Sequence, residues 1–333
     1  MSQFTIIAAD ERCGRGARGL NLQRFLRIYH GRRAVRMMST ADLLQGPPLE
    51  TEILFIGLPT RLCRQHLARV RYRQAVLFDY HDCPGPAWID SDQELLRSLT
   101  DHYLKPWVED EWDYGLRMGV LPIRRHFKLK ACVGWQSMCR RLGRRPPDRI
   151  HDVVFVGEAT AGPQDPHQRI EWIREIRRAS RPYAFWGGIA ARPAVRPVLE
   201  QQFVDFPQLC YQPGRVDFLT YYSQLRRARV ALAPAGNAPW SYRHYEAIYA
   251  GALLVSTDFR HVRTLIPLPQ DRMIHVPHGE SVLPAIDQAL NLSAQSTDWP
   301  ARNVAYLEQF LHYGDYCRTK PLLRERFFDQ LSN

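Results

Sequence analysis

The sequence predicts an α/β protein built from two Rossmann-like domains that face a cleft, and three observations predict it. The chain has 333 residues, enough for two domains at about 150 residues each. Short apolar runs alternate with helical patterns, the signature of a mostly parallel sheet covered on both faces. That alternation stops in a basic stretch and restarts after Arg145-Pro-Pro147.

In the first half, Thr5 to Ala9 reads as a strand, Leu20 to Ile28 as a helix, Ile53 to Ile56 and Ala75 to Phe78 as strands, and Gln93 to Leu104 as a helix. In the second half, strands are expected at Val153 to Val156, Tyr183 to Trp186, Val230 to Ala233 and Leu253 to Ser256. Helices are expected at His167 to Ala179, Phe218 to Arg226 and Ser241 to Ala250, and further helices from about Ala301 close the chain. The expected division is therefore 1–145, 146–300 and a helical tail, 301–333.

Composition narrows the function. With 45% hydrophobic and 24% charged residues the chain has the composition of a globular protein. Its longest apolar runs fall far short of the roughly 18 residues of a membrane span. The N-terminus, Met1-Ser-Gln-Phe-Thr-Ile-Ile, has no basic start before its apolar run, so a cytoplasmic location is expected. Seven cysteines without a CxxC spell neither a disulfide framework nor a zinc knuckle.

The net charge of +11 comes from 41 Arg and 4 Lys against 34 acids, a ratio that devalues any single Arg as a signal. The charge is concentrated from Arg117 to Arg149, where ten basic residues meet one acid, Asp148. Phe127, Leu129, Val133, Trp135 and Met138 are interleaved there, so peripheral contact with an anionic membrane is expected rather than nucleic-acid binding.

In open α/β sheets, ligands bind beyond the carboxyl ends of strands. The most informative such loop runs from Pro234 through Gly236 to a helix opened by Ser241 and stopped by Gly251. Ser241 is a good N-cap, and the helix start offers free N–H groups and a positive dipole end to an anion. Arg243 in the first turn adds a guanidinium for a phosphate. Glu246, one turn further on the same face, could accept two sugar hydroxyls.

These residues resemble a known family. Pro234-x-Gly236, Ser241-x-Arg243-x-x-Glu246-Ala247, Gly251 and Val255 are similar to the nucleotide-sugar motif of GT-B glycosyltransferases, in particular the exostosin-like branch and its bacterial relatives. Phe155-Val-Gly157 followed by Arg169 fits the opening strand and helix of that domain more loosely. The resemblance implies a GT-B enzyme that moves a sugar from a UDP-, GDP- or CMP-linked donor to a glycan or lipid-linked acceptor. It implies donor binding by Gly157, Arg169, Gly236, Ser241, Arg243 and Glu246, with the acceptor in the first domain. Retaining members of the superfamily usually carry a second glutamate eight positions before the first. Here that position is Ala238, which favours inversion.

An inverting enzyme needs a base. Asp10 and Glu11 follow the first strand, His81 and Asp82 follow the Ala75 to Phe78 strand, and Asp10 stands first because inverting GT-B enzymes often draw their base from that loop. Gly14-x-Gly16-x-x-Gly19 satisfies a dinucleotide fingerprint, but Asp10 and Glu11 would repel a pyrophosphate and no acid follows at the expected distance. An NAD(P)-binding oxidoreductase is therefore one alternative, and a non-catalytic nucleotide- or carbohydrate-binding protein is another. Asp90-Ser-Asp92 matches a metal-diphosphate DxD, yet Ser91 to Glu94 reads more simply as a capping box. Neither a metal nor a cofactor is expected.

Overall fold

A computed structural model describes residues 2–9, 19–81, 84–122, 147–159, 167–211, 216–236, 238–239, 241–270, 273–295, 299–310 and 320–332. In chain order its strands and helices are β1 Ser2–Ile7, α1 Asn21–His30, β2 Val35–Met38, α2 Thr40–Gln45, β3 Leu49–Gly57, α3 Arg64–Leu67, β4 Val70–Phe78, α4 Gln93–Leu99, β5 His102–Lys105, β6 Val108–Glu109 and β7 Arg117–Val120. They continue with β8 His151–Glu158, α5 His167–Arg178, β9 Phe185–Ala190, α6 Arg196–Gln202, α7 Phe206–Leu209, α8 Phe218–Arg226, β10 Ala228–Ala233, α9 Tyr242–Ala250, β11 Leu253–Thr257, β12 Val262–Arg263, β13 Met273–Val276, α10 Leu283–Gln295, α11 Trp299–Leu307 and α12 Pro321–Ser332.

The chain forms two compact units. The first gathers Met1–Phe127, His261–Pro267 and Phe310–Asn333; the second gathers Lys128–Arg260 and Leu268–Gln309. In the first, six parallel strands run in the order β2-β1-β3-β4-β5-β7, and β12 pairs antiparallel with β6. In the second, five parallel strands run β13-β11-β10-β8-β9. Numbered within its own unit, each sheet begins 2-1-3-4-5, so each has one point where the strand order reverses: between β1 and β3, and between β8 and β10. Ligands bind at such points, beyond the carboxyl ends of the strands.

Burial explains the strands. Val153, Phe155, Leu232 and Val255 are fully buried in the second core, packed against Ile170 and Ile173 of α5 and Ile286 of α10. Strands covered on both faces read as continuous apolar runs, which is why they were visible in the sequence. The helix expected over Gln93 to Leu104 is instead split. It stops at Leu99; Thr100 turns extended, and His102–Lys105 becomes β5, with all four residues buried between β4 and β7. Sheet pairing overrides the apolar spacing there. The cap also differs: Asp92, not Ser91, opens α4, accepting the Leu95 N–H at 3.0 Å. Ser91 Oγ accepts the Thr60 N–H at 2.9 Å instead.

Two ends of the basic stretch are described, and both have internal roles. Arg117 forms a bidentate pair with Asp101 at 2.7 and 2.8 Å. Arg149 donates to the carbonyls of Ala228, Ala250 (3.3 Å) and Gly251 (2.9 Å), closing the C-terminus of α9 beside Gly251, whose φ of 74° is left-handed. Burial and the nearby Arg226 lower the Arg149 guanidinium to about 10. Residues 123–146 lie outside the described residues. Among the described residues, no helix is long and apolar enough to cross a membrane.

Candidate donor-binding site

Of six residues expected at a donor site, Gly157, Arg169, Gly236 and Arg243 meet at the order reversal of the second sheet, Ser241 opens the helix that carries Arg243, and Glu246 follows on the same helix. Gly157 is the second-last residue of β8, Gly236 follows β10, Arg169 is on the first turn of α5, and Ser241, Arg243 and Glu246 open α9. Arg169 is the tie: its Nε donates to Ala235 O at 2.9 Å and its Nη1 to Glu158 O, joining the ends of β10 and β8. Gly236 makes room for it, since a Cβ there would lie 1.9 Å from Arg169 Nη2.

Arg243 turns inward. Its Nη2 donates to Val156 O at 2.5 Å and its guanidinium carbon sits 4.7 Å from the centre of the Phe155 ring. A Cβ at Gly157 would stand 2.9 Å from that Nη2, so this glycine clears the path. Arg243 Nε and Nη1 are shut from water without a hydrogen-bond partner. Neither Arg169 nor Arg243 pairs with a carboxylate among the described residues, and the Glu158 carboxylate is taken by Arg192 at 2.7 Å. Burial, aided by the positive charge of Arg243 and opposed by the negative charge of Glu158, lowers Arg169 to about 10, so it remains cationic at neutral pH.

Two more buried groups lack partners here. Gln168 uses its Oε1 to accept from Ala235 N (3.0 Å) and Thr257 Oγ1 (2.6 Å), leaving Nε2 unbonded. Ser241 occupies the N-cap with extended backbone, φ −148° and ψ 166°, but its Oγ makes no capping bond and is buried and unbonded. Ser241 is the N-cap as expected, in a capping box with His244: the Ser241 N–H donates to His244 Nδ1 at 2.9 Å, and the His244 N–H donates to the Ser241 carbonyl at 3.1 Å. A buried polar atom left unsatisfied costs about 1–3 kcal/mol, so clustered orphans ask for a ligand that supplies acceptors.

His244 was not singled out by sequence. It is fully buried, and its Nε2 lies 2.8 Å from Ser256 Oγ, which donates to Ala233 O at 3.0 Å. That order makes Nδ1 the acceptor and Nε2–H the donor, a neutral imidazole, and burial pushes its pKa down to about 3. The signal was legible as Ser-x-x-His in place of the usual Ser-x-x-Glu box. Its protons also give a pH dependence. The unfolded chain takes up the proton near pH 6.5 and the folded chain only near 3, so stability falls as pH drops through that window, by up to ~1.4 kcal/mol per unit. His244→Gln, which keeps an acceptor and a donor, should lose less stability between pH 7 and 5 than wild type, by about 2 kcal/mol in urea unfolding of this unit. Identical losses would mean that His244 titrates normally.

Glu246 is buried, with 6% of its surface exposed, as are all residues of α9 from His244 to Ala250. In the first unit, His81 follows β4, and its N–H donates to Asp79 Oδ1 at 2.7 Å. Asp10, Glu11 and Asp82 lie outside the described residues. Asp79 itself was missed. It is fully buried, accepting from Lys105 Nζ at 2.8 and 3.0 Å and from Tyr103 OH at 2.6 Å, while Tyr103 OH also accepts the Ala87 N–H at 2.9 Å. This cluster holds both ends of the segment that carries His81. Among the described residues, no group of three His, Cys, Asp or Glu side chains could hold a metal ion.

Two Rossmann-like units, each a parallel sheet with one reversal of its strand order, give this chain the GT-B fold. Solved structures agree. HepE of Anabaena in complex with UDP matches 100% of this chain and 100% of its own, with a TM-score of 0.53 at 12% identity. HepE in complex with UDP-glucose matches 99% of each chain, with a TM-score of 0.51 at 12% identity. No protein-family model and no curated protein sequence matches the chain.

Proposed function

We propose that the protein is a glycosyltransferase that binds a nucleoside diphosphate sugar in its second unit and transfers the sugar to an acceptor held by the first. The observation that carries this reading is the pair Arg169 and Arg243, two guanidiniums without a carboxylate, beside the unbonded Ser241 Oγ and Gln168 Nε2. Their mutual repulsion is relieved by an anion, and a diphosphate supplies both charge and acceptors. As the anomeric bond breaks, negative charge grows on the diphosphate; fixed donors and the α9 dipole stabilise it without reorganising. No metal is needed for that neutralisation. UDP is the first nucleotide to test, because HepE, which has this fold, binds UDP and UDP-glucose.

Ala238, standing where a retaining enzyme has glutamate, supports inversion: the acceptor hydroxyl attacks the anomeric carbon while a base takes its proton. Asp10 is the first choice for that base, before Glu11, His81 and Asp82. Exchanging each carboxylate for its amide and measuring turnover against donor affinity separates them, since loss of the base lowers turnover by about a hundredfold with donor binding intact. The motif order from Pro234 to Val255 supports the exostosin-like branch within the superfamily.

Calorimetry with UDP, GDP and CMP, followed by a donor hydrolysis assay, tests the whole reading. Binding with turnover supports an enzyme; binding without turnover turns it into a nucleotide-binding protein on the same scaffold. Glu246 is assigned to the ribose. Glu246→Gln should weaken ribonucleotides by about tenfold, as loss of a charge-assisted bond would, and leave 2′,3′-dideoxy analogues nearly unchanged. Equal losses would return Glu246 to a packing role.

A further inference from the structure

The first unit carries a second concentration of unpaired arginines, far from any carboxyl-end loop. At the amino ends of β1, β2 and β3, Arg27, Arg32, Arg33 and Arg36 line a groove of about 630 Å³. Arg32, Arg33 and Arg36 are exposed, and their side chains bond to no other described residue. Arg27 is half-buried: its Nη2 reaches Val35 O at a long 3.4 Å, and its Nε is shut from water without a partner. The one carboxylate in the lining, Glu50, stands opposite Arg71 of β4 in the strand register, so a second cation adjoins it.

Arginine is common in this chain, but elsewhere it is usually occupied. Arg117, Arg174, Arg192, Arg196 and Arg260 all meet carboxylates at 2.5–2.8 Å. Four guanidiniums sharing one concave surface with a single acid repel one another, and the shape multiplies the field by focusing it. Planar guanidinium forks match phosphate oxygens, and two or more such groups on one ligand would engage several forks at once. We propose that this groove binds phosphate groups, taking a ligand that carries at least two of them. The ligand is either a soluble polyphosphorylated molecule or an array of phospholipid head groups, and the chemistry recognised is the same. The proposal does not depend on the donor site of the second unit.

The test uses the full chain with Arg243→Ala, which weakens that donor site, with and without the added exchange Arg32→Gln, Arg33→Gln and Arg36→Gln. These three side chains are exposed, so the fold survives the change. The probes are inorganic tripolyphosphate by calorimetry, and co-sedimentation with phosphatidylglycerol or phosphatidylcholine vesicles. A third variant, with Arg140, Arg141, Arg144 and Arg145 changed to Gln, controls for the basic stretch. The expected result is salt-sensitive binding that the groove exchange weakens about tenfold or more and the control variant leaves unchanged. Binding of tripolyphosphate identifies a soluble ligand; binding only to phosphatidylglycerol vesicles identifies head groups. Absence of both, or equal binding after the groove exchange, overturns the proposal. So does a DNA oligonucleotide that binds more tightly than tripolyphosphate and is lost with the same exchange.

Discussion

Under the proposed function, Arg243→Ala is expected to weaken UDP and free diphosphate alike, by about 1.5–3 kcal/mol, which is roughly a ten- to hundredfold rise in Kd. The size follows from what the side chain does in the absence of a ligand. It makes one bond, to Val156 O, and leaves Nε and Nη1 buried and unbonded, so most of its donor capacity is held in reserve. Removing it also removes the charge that destabilises its neighbour, so Arg169 should become easier to keep protonated in the empty protein. The loss therefore shows in binding rather than in folding. A folded variant with unchanged diphosphate affinity would take Arg243 out of the site. Loss of affinity for uridine as large as for UDP would place the residue on the nucleoside instead.

The largest loss of stability is expected at Lys105. Lys105→Met leaves the Asp79 carboxylate fully buried with only Tyr103 OH and the His81 N–H, and breaking one partner of a buried pair costs about 3–5 kcal/mol. Asp79→Leu with Lys105→Met removes both charges and should restore much of that, because the pair's own desolvation cost disappears with it. Urea unfolding of the first unit measures both. If the single and double variants are equally destabilised, the cluster holds the chain by packing rather than by charge. In the double variant the tie from Asp79 to His81 is gone, so recovered stability without recovered turnover would separate folding from loop placement.

Much of the fold was legible because its central strands are buried on both faces and leave apolar runs such as Val153 to Val156 and Leu253 to Val255. The edge and short strands were not. Val35–Met38 carries an arginine among four residues, and His102–Lys105 contains a histidine and a lysine whose burial depends on partners distant in sequence. The candidate donor residues Gly236, Ser241, Arg243 and Glu246 were chosen from spacing along one loop and helix, with Gly157 and Arg169 from the strand and helix that open the unit. What spacing could not show is direction: Arg243 folds back onto Phe155, and the Ser241 hydroxyl stays unbonded while the His244 N–H donates to the Ser241 carbonyl. Gln168 and Thr257 come from other segments and meet Ala235 only in three dimensions. Lys105 did carry a signal. In a chain with 41 Arg and 4 Lys, a retained lysine marks a place where a compact ammonium fits and a guanidinium does not, here between the two oxygens of Asp79.

The repeated 2-1-3-4-5 strand order has a consequence for how such a protein can change its substrates. Each sheet offers one crevice, and the side chains around it hang on loops rather than on the strands that make the core. In the second unit those loops are tied down by Arg169 and by the His244 relay, and they leave little freedom to vary. In the first, the corresponding strand-order reversal lies between β1 and β3, and positions beyond the strand ends can change while Leu54, Ile56 and Leu77 keep the sheet assembled beneath them. Under the proposed function, the donor grip and the acceptor reader would sit on separate sheets, so that one could change without the other.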